Sequence, residues 1–430
     1  MKKYFLQICL FLATIFLTIS CHENNQELKL DAIYIHEWNK ALQEGIVNDF
    51  YSPPVASRMH CYPNVAAYLI VNNDAEFLKT VPEINSKNLK NKELVSLYVF
   101  YEVGKKIIYS HNFLDDYLKK FDSTLLSKGV AKIDMDEAKK NALEVSKPIL
   151  AWIKADNYKQ TRSDTKYKLI EKEGYWKPTY PDYFDALEPN WTKIRPFIID
   201  SSSQFSKNYN PYPCDMKNKS SDFFKEVDEV KNQVIKTNET ELAISKFWDC
   251  NPLAPQHVSH LTYAQKKLTP GGHWLSIGRK ISIMKKDDFN KTLKMYALLS
   301  SSIADGFIAC WHSKYLHNYI RPITVIQETA SPKWNSLILT PNFPEYPSGH
   351  SVVSGVASTV LTHLYGNNVA FEDDSEKDFG MPPRKFNSFY EACDEAAMSR
   401  FYAGIHFKKA ILDGVQMGKE IGNHIISKSK

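Results

Sequence analysis

Three separated segments between Trp311 and Asp413 carry residue types that complement one another. Lys314-Tyr-Leu-His-Asn-Tyr-Ile-Arg321-Pro322 offers two cations seven residues apart. Phe343-Pro-Glu-Tyr-Pro347-Ser348-Gly349-His350 places a hydroxyl, a glycine and an imidazole just ahead of an apolar run. Ser399-Arg400-Phe-Tyr-Ala-Gly404-Ile-His406 adds a third cation and a second histidine. Three cations, two histidines, a hydroxyl and the free amides of a helix start are what a tetrahedral oxyanion needs. An opposing charge about 4 Å away contributes around 4 kcal/mol at an effective dielectric of 20, before desolvation costs. No segment suffices alone. Arg195-Pro196 has Glu188, not a lysine, seven residues earlier and reads as structural.

The elements that must position these groups are helices. A helical run from about Asp288 brings Leu293, Leu298, Ile303, Phe307 and Ile308 to a buried side and delivers Lys314 near its end. Pro322 disfavours helical geometry at Arg321, so the chain leaves the helix there. Ser348 suits the N-cap of the run from Ser351 to Leu364, and Gly349 permits close backbone approach. Ser388-Phe-Tyr-Glu391 reads as a capping box, which puts Arg400 near the last turn of its helix. Gly404 ends that helix, and His406 precedes an amphipathic run through Ile411, Val415, Ile421 and Ile425.

Elsewhere, apolar residues recur at three and four from Asp31 to Ala155, as at Leu94, Leu97, Tyr98 and Tyr101, punctuated by Pro53-Pro54 and Pro82. Residues 157–220 form a proline-punctuated, aromatic-rich connection, and helical patterning returns over 223–247 and from about Trp274. Alternating strand patterns are scarce. The pattern predicts an all-α, multi-helix bundle: an N-terminal helical region with the proline-rich connection over 22–220, and a C-terminal bundle over 221–430 that holds the site.

The chain's 430 residues are enough for a substantial core, and 23 Phe, 24 Tyr and 8 Trp exclude disorder. A net charge of +5 is too mild to suggest nucleic acid. Lys2 and Lys3 precede a 16-residue, mostly apolar stretch from Tyr4 to Ile19, short for a membrane span. Thr18-Ile19-Ser20-Cys21 resembles a bacterial lipoprotein cleavage site, so residues 1–21 are expected to be a signal peptide. Lipidated Cys21 would become the mature N-terminus of an exported, membrane-anchored cell-envelope protein, periplasmic or on the outer membrane. The alternative is an ordinary secretory signal. Cys61, Cys214, Cys250, Cys310 and Cys393 are odd in number and widely spaced, which argues against a disulfide framework, and none has C-x-x-C spacing. His257-Val-Ser-His260 lacks a third metal ligand at readable spacing. His273-Trp274 reads as structural or as a pocket wall, and Lys285 to Lys294 as a solvated face.

Lys314-x6-Arg321-Pro322, Pro347-Ser348-Gly349-His350 and Ser399-Arg400-x5-His406 resemble the three ordered signatures of the vanadium-dependent haloperoxidase and type 2 phosphatidic acid phosphatase superfamily. The longer pattern, with Phe247-Trp248, Gly272-His273-Trp274 and Gly404-Ile405-His406-Phe407, is similar to bacterial haloperoxidase-type lipoproteins. The resemblance implies a helical bundle holding vanadate or phosphate. His406 would ligate vanadium, or attack phosphorus to form a phosphohistidine. Lys314, Arg321 and Arg400, with the Ser348 hydroxyl and the Gly349 amide, would bind the oxygens, and His350 would be the general acid/base. Trp311 and Phe343 match aromatic positions on the halide side of fungal chloroperoxidase-like enzymes, and could equally form a substrate wall or pack a helix junction. His317 is a candidate neighbour of the site, whereas His312 faces packing or solvent. Where the family often has Asp four residues after the last histidine, this chain has Ala410; Asp413, seven residues after His406, is left as a candidate to orient the ring. The implied activity is halide oxidation by hydrogen peroxide, with vanadate as cofactor. The alternatives are a vanadate-independent acid phosphatase acting on a small phosphoester, and an inactive envelope binding protein.

Overall fold

The computed structural model describes residues 28–72, 75–252, 255–258 and 260–429. Lys2, Lys3, the apolar leader and Cys21 lie outside the described residues, as does the His257 side chain. The N-terminal half contributes α1 (Ile33–Asn48), α2 (Pro53–Asn72), α3 (Lys92–Ile107), α4 (Asn112–Ser127), α5 (Lys132–Lys154) and the short α6 (Tyr158–Ser163). The C-terminal half contributes α7 (Asp222–Lys236), α8 (Glu239–Phe247), α9 (Pro270–Lys285), α10 (Phe289–His317), α11 (Pro322–Thr329), α12 (Gly349–Tyr365), α13 (Phe389–Tyr402) and α14 (Lys408–Lys428). Strand pairing among the described residues comprises two antiparallel pairs, β1 (Pro255–Val258) with β2 (Leu261–Ala264) and β3 (Phe371–Asp373) with β4 (Arg384–Phe386), and a single antiparallel bridge between Tyr175 and Tyr319. The all-α expectation holds. No described helix is long and apolar enough to cross a membrane.

Side-chain caps set the starts of several C-terminal helices. Asp288 caps α10 by accepting from Lys291 N at 2.8 Å, Thr269 caps α9 ahead of Pro270, and Asn238 with Glu241 closes a capping box on α8. The 29-residue α10 is buried nearly all round, because α2 packs on it from the N-terminal half and α12 from the C-terminal half. The buried apolar side chains of both halves accordingly form one connected core.

The proline-rich connection is stitched onto α10 by hydrogen bonds from its backbone amides. The amides of Phe197, Ile198 and Ile199 donate to the buried Asp305 carboxylate at 2.8, 2.6 and 2.9 Å, and Trp176 N donates to Asn318 O at 2.7 Å. Arg195 stacks on Trp152 and donates to its carbonyl, a structural role. Lys285, Lys286, Lys291 and Lys294 are exposed, and the five cysteines past Cys21 are free thiols.

α12 and α14 lie side by side and run parallel, with successive contacts at Gly414 against Ser348 and Ser351, Gly418 against Val352 and Gly355, and Gly422 against Thr359. A methyl group on Gly355 would lie 2.6 Å from Val415 O, so the two backbones touch. Parallel packing brings both N-termini to one end of the bundle, and with them the segments bearing His350 and His406.

Candidate active site

Lys314 lies in the last turn of α10, which ends at Asn318 in a left-handed conformation. Its Nζ is fully buried and donates to the carbonyls of Pro344, Glu345 and Pro347 at 2.9, 3.0 and 2.6 Å. Arg321 is the extended residue before Pro322, the first residue of α11. Its Nε donates to Phe343 O at 3.0 Å and its Nη1 to Ile405 O at 2.9 Å, with His406 Nε2 3.2 Å from the same Nη1. Arg400 sits in the last turn of α13, its guanidinium held by Ser399 Oγ at 2.9 Å and Ser245 O at 3.2 Å. Ser348 is the N-cap of α12, accepting from Ser351 N, and its own amide donates to Ala410 O at 3.0 Å. That contact locks the turn before His350 onto the start of α14.

One cavity is lined by Gly349, His350, Arg400, Ile405 and His406 together with Trp311 and Phe343. The methyl that Gly349 lacks would contact Trp311 and the Lys314 chain at 3.6 and 3.8 Å. The cavity thus gathers Gly349, His350, Arg400 and His406 with the two aromatics as its wall, while Arg321 meets it through His406, Lys314 lies behind Gly349 and Ser348 precedes Gly349 in the chain. Trp311 and Phe343 pack at 4.9 Å, and Phe343 lies under both Lys314 and Arg321, at 4.9 and 5.0 Å. Its ring thereby supports two cations as well as presenting an apolar surface. His317 packs edge-on against Tyr346, and His312 is half-buried beside Ser202.

The ring of His406 is oriented by Glu345, not by Asp413. Glu345 is fully buried; its Oε1 lies 2.7 Å from His406 Nδ1 and accepts from Phe407 N at 3.0 Å. Asp413 instead accepts from Tyr346 Oη at 2.5 Å and pairs with Lys409 at 2.9 Å. Asp413 lies on α14 itself, so its carboxylate faces that helix's own neighbours, whereas Glu345 comes from the loop that crosses the front of the ring. The sequence carried one signal for it: a lone acid between prolines and aromatics inside the second motif. Because Arg321 can only donate, its approach to Nε2 leaves the proton of a neutral His406 on Nδ1, toward Glu345. The Nε2 lone pair then faces Arg321 Nη1, on the cation side of the ring.

Burial pushes Lys314 down to about 7, and neighbouring Arg321 adds to this; burial likewise lowers Arg321 to about 10. Burial and the cations hold His406 well below 6.5, and burial, Arg400 and His273 do the same to His350. Burial lifts Glu345 to about 8, against the pull of Arg321 and Lys314. Positive charge is crowded into a dry place, which an anion would relieve. Arg321 Nη2 and His350 Nε2 are buried with no hydrogen-bond partner among the described residues.

Comparison with known proteins finds relatives of the whole chain and of its C-terminal half. Residues 294–430 match the family profile described as the VCPO second helical-bundle domain. The chain is 22% identical over 200 residues to the vanadium chloroperoxidase of Curvularia inaequalis, an alignment spanning about a third of each protein (33% and 33%). The crystal structure of a bacterial vanadium-dependent iodoperoxidase superposes with a TM-score of 0.85 at 38% identity, covering 94% of this chain and 98% of that one. A holo-type bacterial vanadium-dependent chloroperoxidase superposes with a TM-score of 0.66 at 14% identity, covering 93% and 97%, a likeness of fold.

Proposed function

The chain belongs to the vanadium-dependent haloperoxidase family, and from that premise we propose that it oxidises a halide with hydrogen peroxide at a vanadate held by His406. The observation that carries this reading is the neutral, Glu345-oriented His406, whose Nε2 faces the cations. Vanadate fits the residues present: an imidazole lone pair for the metal, buried cations for its oxygens, and the orphaned Arg321 Nη2 and His350 Nε2 as further polar partners. Bound there, vanadate would supply a Lewis-acidic centre that activates peroxide toward a halide.

The protein's part is binding, orientation and proton handling. Lys314, Arg321 and Arg400 balance the oxyanion's charge, and the Ser348 hydroxyl and the Gly349 amide, at the start of α12, complete the cradle. His350, neutral at pH 7 because of burial and Arg400, can take a proton from peroxide at Nε2 and return it to a departing oxygen. Trp311 and Phe343 keep water from the halide's side of the cavity. We further assign the protein to the bacterial cell envelope, on the strength of Lys2, Lys3, the apolar leader and Cys21; Cys21→Ala should abolish metabolic labelling by a fatty acid.

The decisive experiment uses residues 22–430 purified without phosphate, with and without vanadate, beside His406→Ala. Halogenation is assayed with chloride, bromide and iodide, and hydrolysis with a chromogenic phosphomonoester. Peroxide-dependent halogenation that needs both vanadate and His406 is expected, and identifies the halide. Hydrolysis by the vanadate-free protein, lost on adding vanadate and without halogenation, would replace this reading with an acid phosphatase using His406 as nucleophile.

A further inference from the structure

Beside the anion site, Cys250, His273 and Glu376 converge from the segment after α8, the first turn of α9 and the turn after β3. All three are buried, and their ligand-capable atoms lie within 4.8 Å of one another. Cys250 Sγ is 3.4 Å from His273 Nδ1, that nitrogen is 3.1 Å from Glu376 Oε1, and the sulfur is 3.8 Å from the same oxygen. A tetrahedral zinc with bonds of about 2.3 Å to S, 2.05 Å to N and 2.0 Å to O has S–N, N–O and S–O edges of about 3.6, 3.3 and 3.5 Å. The observed triangle matches one face of that tetrahedron to within about 0.3 Å on each edge.

The surroundings are also those of a metal ligand. His273 Nε2 lies 2.7 Å from Asp373 Oδ2, and the other Asp373 oxygen accepts from Ser375 N and Oγ at 3.0 and 2.6 Å. A carboxylate so held accepts a hydrogen bond from Nε2–H, and in the neutral ring this turns the Nδ1 lone pair toward Cys250 and Glu376. Trp248 stacks on the imidazole at 4.4 Å and 15°, fixing its plane. Glu376 lines a surface groove with Asp249 and Lys267, and Cys250 lines the active-site cavity, so the trio lies between the two.

We propose that Cys250, His273 and Glu376 bind a divalent transition cation of the zinc class, with three protein ligands and a fourth position open. A thiolate, an imidazole and a carboxylate suit a borderline-soft ion, whereas magnesium and calcium take oxygen ligands. On binding, the Cys250 thiol gives its proton to solvent, and the two anionic ligands balance the dication. The cation would tie the loop after α8 and the turn after β3 to α9. This reading is independent of the halide chemistry.

Cobalt(II), a spectroscopic stand-in for zinc, tests it. It is titrated into chelator-treated, vanadate-free protein of residues 22–430, beside Cys250→Ser and Glu376→Gln. Wild-type protein is expected to take up one equivalent with a thiolate-to-cobalt band in the near ultraviolet and intense tetrahedral visible bands. Zinc should displace the cobalt and raise Tm. Cys250→Ser should lose the near-ultraviolet band, and the isosteric Glu376→Gln should keep it while binding at least about 10-fold more weakly. Absence of a thiolate band in the wild type, its survival in Cys250→Ser, or unchanged affinity in Glu376→Gln would overturn the site. His273 would then be an imidazolium clamped between Asp373 and Glu376. If Cys250→Ser does not fold, Glu376→Gln carries the comparison.

Discussion

Above about pH 8, where the Glu345 carboxyl is ionised, replacing it by Gln changes one charge and almost no volume, which isolates what the carboxylate does for His406. In the native site Glu345 Oε1 lies 2.7 Å from His406 Nδ1 and accepts from Phe407 N at 3.0 Å. A glutamine oxygen can keep these contacts as neutral hydrogen bonds. The exchange of charge-assisted for neutral bonding forfeits about 1–1.5 kcal/mol at the ring. The imidazole also becomes a poorer donor to a metal, and an amide rotated to present its NH2 would stabilise the wrong tautomer. Together these give about 1.4–2.7 kcal/mol, equal to a 10–100-fold rise in the vanadate dissociation constant. Equilibrium dialysis at about pH 9, above the Glu345 value, with vanadium quantitation reads the affinity, and turnover at saturating vanadate reads the rest. The fold should survive, because burial already pushes the Glu345 carboxyl up to about 8 and a neutral amide is cheaper to keep dry. Asp413→Asn serves as control: its carboxylate is engaged by Tyr346 and Lys409, and vanadate affinity should hold. An unchanged affinity in Glu345→Gln with an unchanged Tm would refute the orientation argument, and a larger effect from Asp413→Asn would reverse it.

Two further expectations concern the scaffold. Gly418→Ala drives a methyl into the Val352 carbonyl and must separate α12 from α14; overpacking of this kind costs about 1–3 kcal/mol. Urea denaturation should show that loss, with halogenation falling alongside because both histidine segments hang on this contact; full stability and activity would show the contact to be soft. His60 is held at about 3 by burial, below its ordinary 6.5. The unfolded chain therefore takes up the proton first, so the stability His60 confers is present above about pH 6.5 and is lost progressively as pH falls toward 3. At pH 5 the loss is about 2 kcal/mol. His60→Gln should narrow the difference in unfolding free energy between pH 7 and pH 5 by that amount, and an identical pH dependence in the variant would contradict it.

The residues that form the candidate site were legible because each is announced by its immediate neighbours. Asp288 and Ser348 cap the helices they precede, Pro322 ends helical geometry at Arg321, and Arg400 lies in the turn where a start near Ser388 places it. Burial was less legible. α10 shows no clean amphipathic face, since both halves of the molecule pack on it and nearly every position is buried. The residues that orient the active groups were not legible at all. Glu345 is 61 positions from His406, and Asp373 is 100 from His273; each pair meets only after distant segments dock. Asp413 drew attention because it is near in sequence, yet seven residues on a helix carry it about 10 Å along the axis, to Tyr346 and Lys409. A spacing rule holds along one element and fails across a parallel helix contact such as α12 on α14, where the register is set by Gly355, Gly414, Gly418 and Gly422. Those glycines carry no chemistry, but they decide where two histidines meet. In this site the reacting groups are therefore encoded locally, and the tautomer and aim of those groups are encoded in the packing.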